Sequence, residues 1–120
     1  MALFTTSFFV TDSGRSPVLE FLESLDQRAQ RKFLFVRGLL EEFGHRLSLP
    51  YVKYIGNDIY ELRFVGSEGN IRMLYFFFLA QTIIFVHGFV KKTNKIPTRE
   101  LLVAKERRME YINSQSERGG

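Results

Sequence analysis

Four cationic side chains, Arg63, Arg72, Lys91 and Lys92, stand within or at the ends of hydrophobic, strand-like runs between Asp58 and Glu100. Brought together on one sheet, such guanidinium and ammonium groups form a surface suited to phosphates. Side chains two apart on a strand share a face, so Glu61 and Arg63 point the same way. A hairpin turn within Gly66 to Asn70 brings Arg72 within a few residues of Arg63 across the ladder, where the two can converge. Lys91 and Lys92 follow directly on the run Ile83 to Val90, where the chain leaves the sheet and long side chains reach over its edge. An arginine fork matches two phosphate oxygens but cannot act as a base. A lysine base needs its pKa, ordinarily about 10.4, depressed by burial or a cationic neighbour, and Lys92 is such a neighbour for Lys91.

Each of these residues also has a structural reading. Arg63 can simply pair with Glu61. Arg72 has no such neighbour in sequence, and an unpaired guanidinium among apolar residues is costly to bury, so an anionic ligand is expected there. Locked to an internal carboxylate instead, Arg72 would leave no clamp. The run Lys91 to Lys95 can be a solvated loop. His87, between Val86 and Gly88 in a strand interior, is either a hydrogen-bonded core residue or an acid or base. His45 and His87 are the only histidines, Cys is absent, and no carboxylates fall at ligand spacing, so neither a metal site nor a cofactor is expected. Gly66-Ser67-Glu68-Gly69 reads as a hairpin turn rather than a phosphate-cradling loop.

The elements that must position these residues follow from periodicity. Leu3 to Val10 predicts a strand ending at the turn formers Thr11 to Gly14. Ser16-Pro17 opens a helix, with Val18, Phe21, Leu22 and Leu25 at helical spacing. After Asp26 a second helix runs through Ala29, Phe33, Val36, Leu40 and Phe43 to a glycine cap at Gly44. Tyr51 to Ile55, Ile59 to Val65, Ile71 to Leu79 and Ile83 to Val90, separated by short turns, predict an antiparallel meander. Met73 to Leu79, apolar on both faces, should be its covered central strand. Ile96-Pro97-Thr98 starts a last helix, and the polar residues 113–120 are expected to fray. The predicted class is α+β, β-α-α-β-β-β-β-α, with the two N-terminal helices and the C-terminal helix on a curved antiparallel sheet.

A chain of 120 residues suits one domain, placed at 1–112, with a polar tail at 113–120. Hydrophobic residues at 45% give it a core, and the formal charge of +4 favours an anionic partner. The start MALFTTSFFVTDSG lacks the basic opening and long apolar core of a signal peptide, and the run Met73 to Ala80 is too short to span a bilayer. A cytoplasmic protein without a membrane segment is expected.

The motifs Tyr60-Glu61-Leu62-Arg63, Ile71-Arg72-Met73-Leu74-Tyr75 and His87-Gly88-Phe89-Val90-Lys91-Lys92-Thr93 come in this order, followed by Pro97 and Ala104. With Asp12 to Val18 and Phe21-Leu22 before them, the chain resembles toxins of the RelE superfamily, in the phage-derived HigB-like branch, over roughly Phe8 to Tyr111. The resemblance implies a RelE-like, microbial-RNase-like fold and a metal-independent endoribonuclease, or mRNA interferase, that inhibits growth by cutting mRNA on the ribosome. It also implies neutralisation by a cognate helix-turn-helix antitoxin, with operator DNA bound only through the toxin-antitoxin complex. Arg72 falls at the arginine on the scissile phosphate, Lys91 or Lys92 at an assisting cation, and Arg63 in the strand lining the same cleft. The chain departs from RelE in having Ile59 and Glu61 where that protein has lysines. It also lacks a clear tyrosine early in the segment after the cationic loop, which leaves Lys53, Lys95, Tyr75 and His87 to move protons. Lys53, Tyr75 and Lys95 are also expected to bind RNA. Two other readings stay open: a ParE-like toxin that poisons DNA gyrase without catalysis, and a basic nucleic-acid-binding module.

Overall fold

The computed structural model describes residues 3–119, with side chains through Glu117. The first strand, β1 (Thr5–Phe8), is shorter than the run that predicted it. Ser16 caps α1 (Pro17–Ser24) by accepting from the Leu19 N–H, and Pro17 fills the first helical position, where no N–H is needed. Asp26 caps α2 (Gln27–Phe43) in the same way, accepting from the Ala29 N–H at 2.8 Å. Gly44 ends α2 at φ 51°, and a Cβ there would overlap the Phe4 ring.

The meander then runs through β2 (Val52–Gly56), β3 (Ile59–Gly66), β4 (Gly69–Phe78) and β5 (Thr82–Lys91). Asn57 and Asp58 both take positive φ, 55° and 63°, as the tightest hairpin turns require. The last helix, α3 (Thr98–Gly119), continues through the residues expected to fray, which retain helix formers such as Gln115 and Glu117.

The sheet order is β1-β5-β4-β3-β2, and β1 joins β5 in parallel, so the sheet is mixed rather than wholly antiparallel. The chain crosses from β1 to the far edge through the α1-α2 pair, which covers one face. Against that face pack Leu62, Phe64, Ile71, Met73, Tyr75 and Phe85 with Phe33 and Val36 of α2. On the other face Ile59, Leu74, Phe76 and Ile84 pack with Ala104 of α3. β4 is covered on both sides, as its unbroken apolar run requires. Each such large side chain, fully buried, contributes about 1.5–3 kcal/mol. Among the described residues no helix is long and apolar enough to cross a membrane.

Candidate phosphate-binding cleft

On its face of the sheet α3 packs over Leu74, Phe76, Ile84 and His87, and beyond them the strands carry the half-exposed Arg63 and Lys91 and the exposed Lys53. Register partners line up in rows toward that end. Lys53, Glu61, Leu74 and His87 form one row; Arg63, Arg72 and Phe89 form the next; Asn70 and Lys91 follow. All these side chains share the α3 face, because every step along a strand between rows is two residues.

One irregularity makes this true of β5. Leu74 pairs with His87 but Tyr75 pairs with Phe85, so Val86 is an extra residue, a β-bulge. Before it the even-numbered Ile84 lies on the α3 side; after it the odd-numbered His87, Phe89 and Lys91 do. Gly88 is thereby turned to the α1 side, where a Cβ would stand 2.5 Å from the Phe21 ring and 2.8 Å from Met73 Sδ. The bulge chooses Lys91 over Lys92 for the cleft.

Two depressions result. The first, about 390 Å³, is lined by Lys53, Tyr54, Glu61, Lys91, Asn94 and Lys95. The second, about 220 Å³, is lined by Pro50, Arg63, Val65, Asn70 and Arg72. Five cations thus surround a single carboxylate. Glu61, 1% exposed, places Oε1 3.5 Å from Arg63 Nε and 3.7 Å from Arg72 Nε. The expectation that Arg72 lacks a carboxylate neighbour is therefore corrected. The contact is nonetheless too long for a hydrogen bond: Arg72 Nε and Glu61 Oε2 are both buried without a hydrogen-bond partner among the described residues, while Arg72 Nη1 donates to the Ile71 carbonyl at 3.0 Å. Burial pushes the Arg72 pKa down; Glu61 opposes this and Arg63 adds to it. An arginine so perturbed still keeps its proton.

The remaining expected site residues divide. Lys53 and Lys95 are exposed on the walls of the cleft, and Lys91 is half-buried beside them. Lys92 is exposed and lines neither depression. Tyr75 is fully buried on the opposite face, between Tyr60, Phe77 and Phe85, so it cannot meet a ligand in the cleft. Burial raises its pKa far above the ordinary tyrosine value, and its hydroxyl has no hydrogen-bond partner among the described residues. Tyr75 stands three positions after Arg72 on one unbroken strand, which already sends them to opposite faces.

His87 does lie on the cleft face, but α3 closes over it. Arg107 Nη1 stands 3.4 Å from Nδ1 and donates to the Val86 carbonyl at 2.8 Å, while Nε2 is 2.9 Å from Glu100 Oε1. With Arg107 donating to Nδ1, the ring proton is on Nε2 and is given to Glu100. Burial lowers the His87 pKa, with Glu100 opposing and Arg107 reinforcing the shift. It is a clasp between β5 and α3 rather than a free acid or base. Sequence reasoning missed that clasp, and it missed that Glu61 serves both arginines. The second was available from register: Arg63 opposite Arg72 demands a nearby negative charge, and Glu61 is the carboxylate two residues away.

No curated protein matches the chain. The family model for phage derived protein Gp49-like (DUF891) matches residues 20–109, three quarters of the chain and every cleft residue named above, and the chain belongs to that family.

Proposed function

We propose that this Gp49-like protein is a toxin of the RelE superfamily, HigB-like branch, in a type II toxin-antitoxin system. It acts as a metal-independent endoribonuclease on mRNA in the cytoplasm, on the ribosome, and is held in check by a cognate helix-turn-helix antitoxin through which alone it meets operator DNA. The observation that carries this reading is the placing of Arg63 and Arg72 opposite each other on one sheet face, Arg72 buried and Arg63 partly exposed, flanked by Lys53, Lys91 and Lys95.

In this reading the 2′-hydroxyl of the upstream ribose attacks its own 3′-phosphate, forming a new P–O bond as the bond to the 5′-oxygen breaks. The hydroxyl proton passes to a base, and an acid protonates the leaving 5′-oxygen. The products are a 2′,3′-cyclic phosphate and a 5′-hydroxyl. Arg72 and Arg63 supply fixed donors for the charge on the phosphorane oxygens. The phosphate enters as a second anion beside Glu61, engaging the Arg72 Nε that Glu61 leaves unbonded. With Tyr75 buried and His87 clasped, proton transfer falls to Lys91, Lys53 or Lys95, the lysines that line the cleft.

The test is to incubate purified protein with a transcript, free and in a translating extract, and map the new ends. Cyclic-phosphate and 5′-hydroxyl ends that vanish in Arg72→Ala are expected. A second reading, a ParE-like toxin that binds gyrase, is favoured by one observation: a carboxylate already sits between the two arginines. It predicts intact transcripts and a DNA-damage response on induction.

A further inference from the structure

Away from the cleft, α2 presents a second cationic surface. Arg28, Arg31, Lys32 and Phe35 stand one turn apart and, with Val65 of β3, line a depression of about 380 Å³. All five are exposed, and Phe35 and Val65 are large apolar side chains 54% and 60% open to solvent. Like charges one turn apart repel. None of the three cations enters an ion pair among the described residues. Asp26 feels the charge of Arg28 and Arg31, but its carboxylate is taken up by Ser67 and the Ala29 N–H. Ion pairing within the fold therefore does not account for the three charges. Cations interleaved with an exposed aromatic ring are instead what a single-stranded nucleic acid uses: phosphates on the charges, a base on the ring. Lys32 Nζ lies over one face of the Phe35 ring at 5.6 Å from its centroid, and the ring is 54% open to solvent.

Continuity with the cleft decides between nucleic acid and an acidic protein segment. Val65 lines both this depression and the one that holds Arg63 and Arg72. It can do so because β2 pairs with β3 only as far as Leu62, with one further bond from the Arg63 N–H to the Tyr51 carbonyl, so the end of β3 is the edge of the sheet. We infer that an RNA strand whose phosphate sits at Arg72 continues around this edge onto α2, where Arg28, Arg31 and Lys32 neutralise its next phosphates and a base stacks on Phe35. The inference rests on the RNA reading proposed above and extends it from one phosphodiester to a track.

Fluorescence anisotropy with uncleavable 2′-O-methyl RNA tests it, using the full chain, a trinucleotide and an oligomer of about twelve nucleotides. The oligomer should bind more tightly than the trinucleotide. A triple R28A/R31A/K32A variant should lower oligomer affinity at least about tenfold and flatten the slope of log K against log salt by about two, since each single-strand phosphate contact contributes about 0.7. Trinucleotide binding should be unchanged. Phe35→Leu should weaken the oligomer about fivefold or more with the salt slope retained. Circular dichroism checks that each variant is folded. Trinucleotide binding with no gain from length, or an oligomer indifferent to both variants, overturns the α2 track while leaving the cleft reading standing. Variants that keep oligomer binding but lose a protein partner also overturn it. Wild-type protein that binds neither RNA overturns both.

Discussion

Two guanidiniums directly opposed on an antiparallel ladder repel, and the sheet tolerates Arg63 and Arg72 because Glu61 lies against both. The pairing is incomplete: one carboxylate oxygen and one guanidinium nitrogen stay unsatisfied in a buried place, which costs about 1–3 kcal/mol per group. In the function proposed above, an incoming phosphate would accept from the Arg72 Nε that Glu61 leaves unbonded, while the Glu61 oxygen would still lack a donor. Arg72→Ala is expected to lower cleavage by at least about a hundredfold, the scale of losing one preorganised donor. Lys91→Ala should lower it strongly and Lys92→Ala barely, because only Lys91 faces the cleft; rates of transcript cleavage by the three variants check this. At this scale much was legible. The spacing of Glu61 and Arg63 gave their common face, and the Gly66 to Asn70 turn gave the meeting of Arg63 with Arg72. Tyr75 was misassigned although its odd offset from Arg72 excluded it. The clasp on His87 depends on Glu100 and Arg107, whose approach is set by long-range packing that no local pattern encodes.

The helices and strands are held by contacts that single substitutions can expose. Gly88 lets Phe21 of α1 and Met73 of β4 close over β5, and Gly88→Ala must push them apart. A loss of about 1–3 kcal/mol is expected, measured by urea unfolding. The clasp between β5 and α3 makes stability depend on pH. His87 is half-buried and its folded-state pKa lies below the ordinary histidine value, so between the two the unfolded chain binds the proton and the folded chain does not. Stability is complete above the unfolded value of about 6.5 and falls as pH drops below it. Thermal melts at about pH 7.5 and 5.5 should show this fall, and His87→Gln should reduce it. The caps at Ser16 and Gly44 and the hairpin turns were readable because their signals are local. The parallel pairing of β1 with β5 was not, since it joins residues far apart in sequence and leaves no periodic trace. The reach of α3 to Gly119 was underread because polar residues signal exposure, and an exposed helix is still a helix.

For the whole molecule the net charge of +4 matters less than its distribution, with five cations around one end of the sheet. RNA binding should weaken with salt, with a slope of log K against log salt near −0.7 for each phosphate held. Titration of affinity across salt concentrations measures that number; a slope near zero would mean that the cleft does not neutralise phosphates. Composition indicated an anionic partner, but neither the partner nor the placing of the charges can be had from a sum. The placing depends on Val86. With side chains alternating sides at every step, one inserted residue exchanges floor for ceiling in everything that follows it along the strand. Two proteins with the same charges in the same order can therefore present opposite electrostatic faces if one of them lacks that insertion. Transferring site residues between relatives by alignment alone is unsafe past this point of β5, where a gap of one position is a change of side.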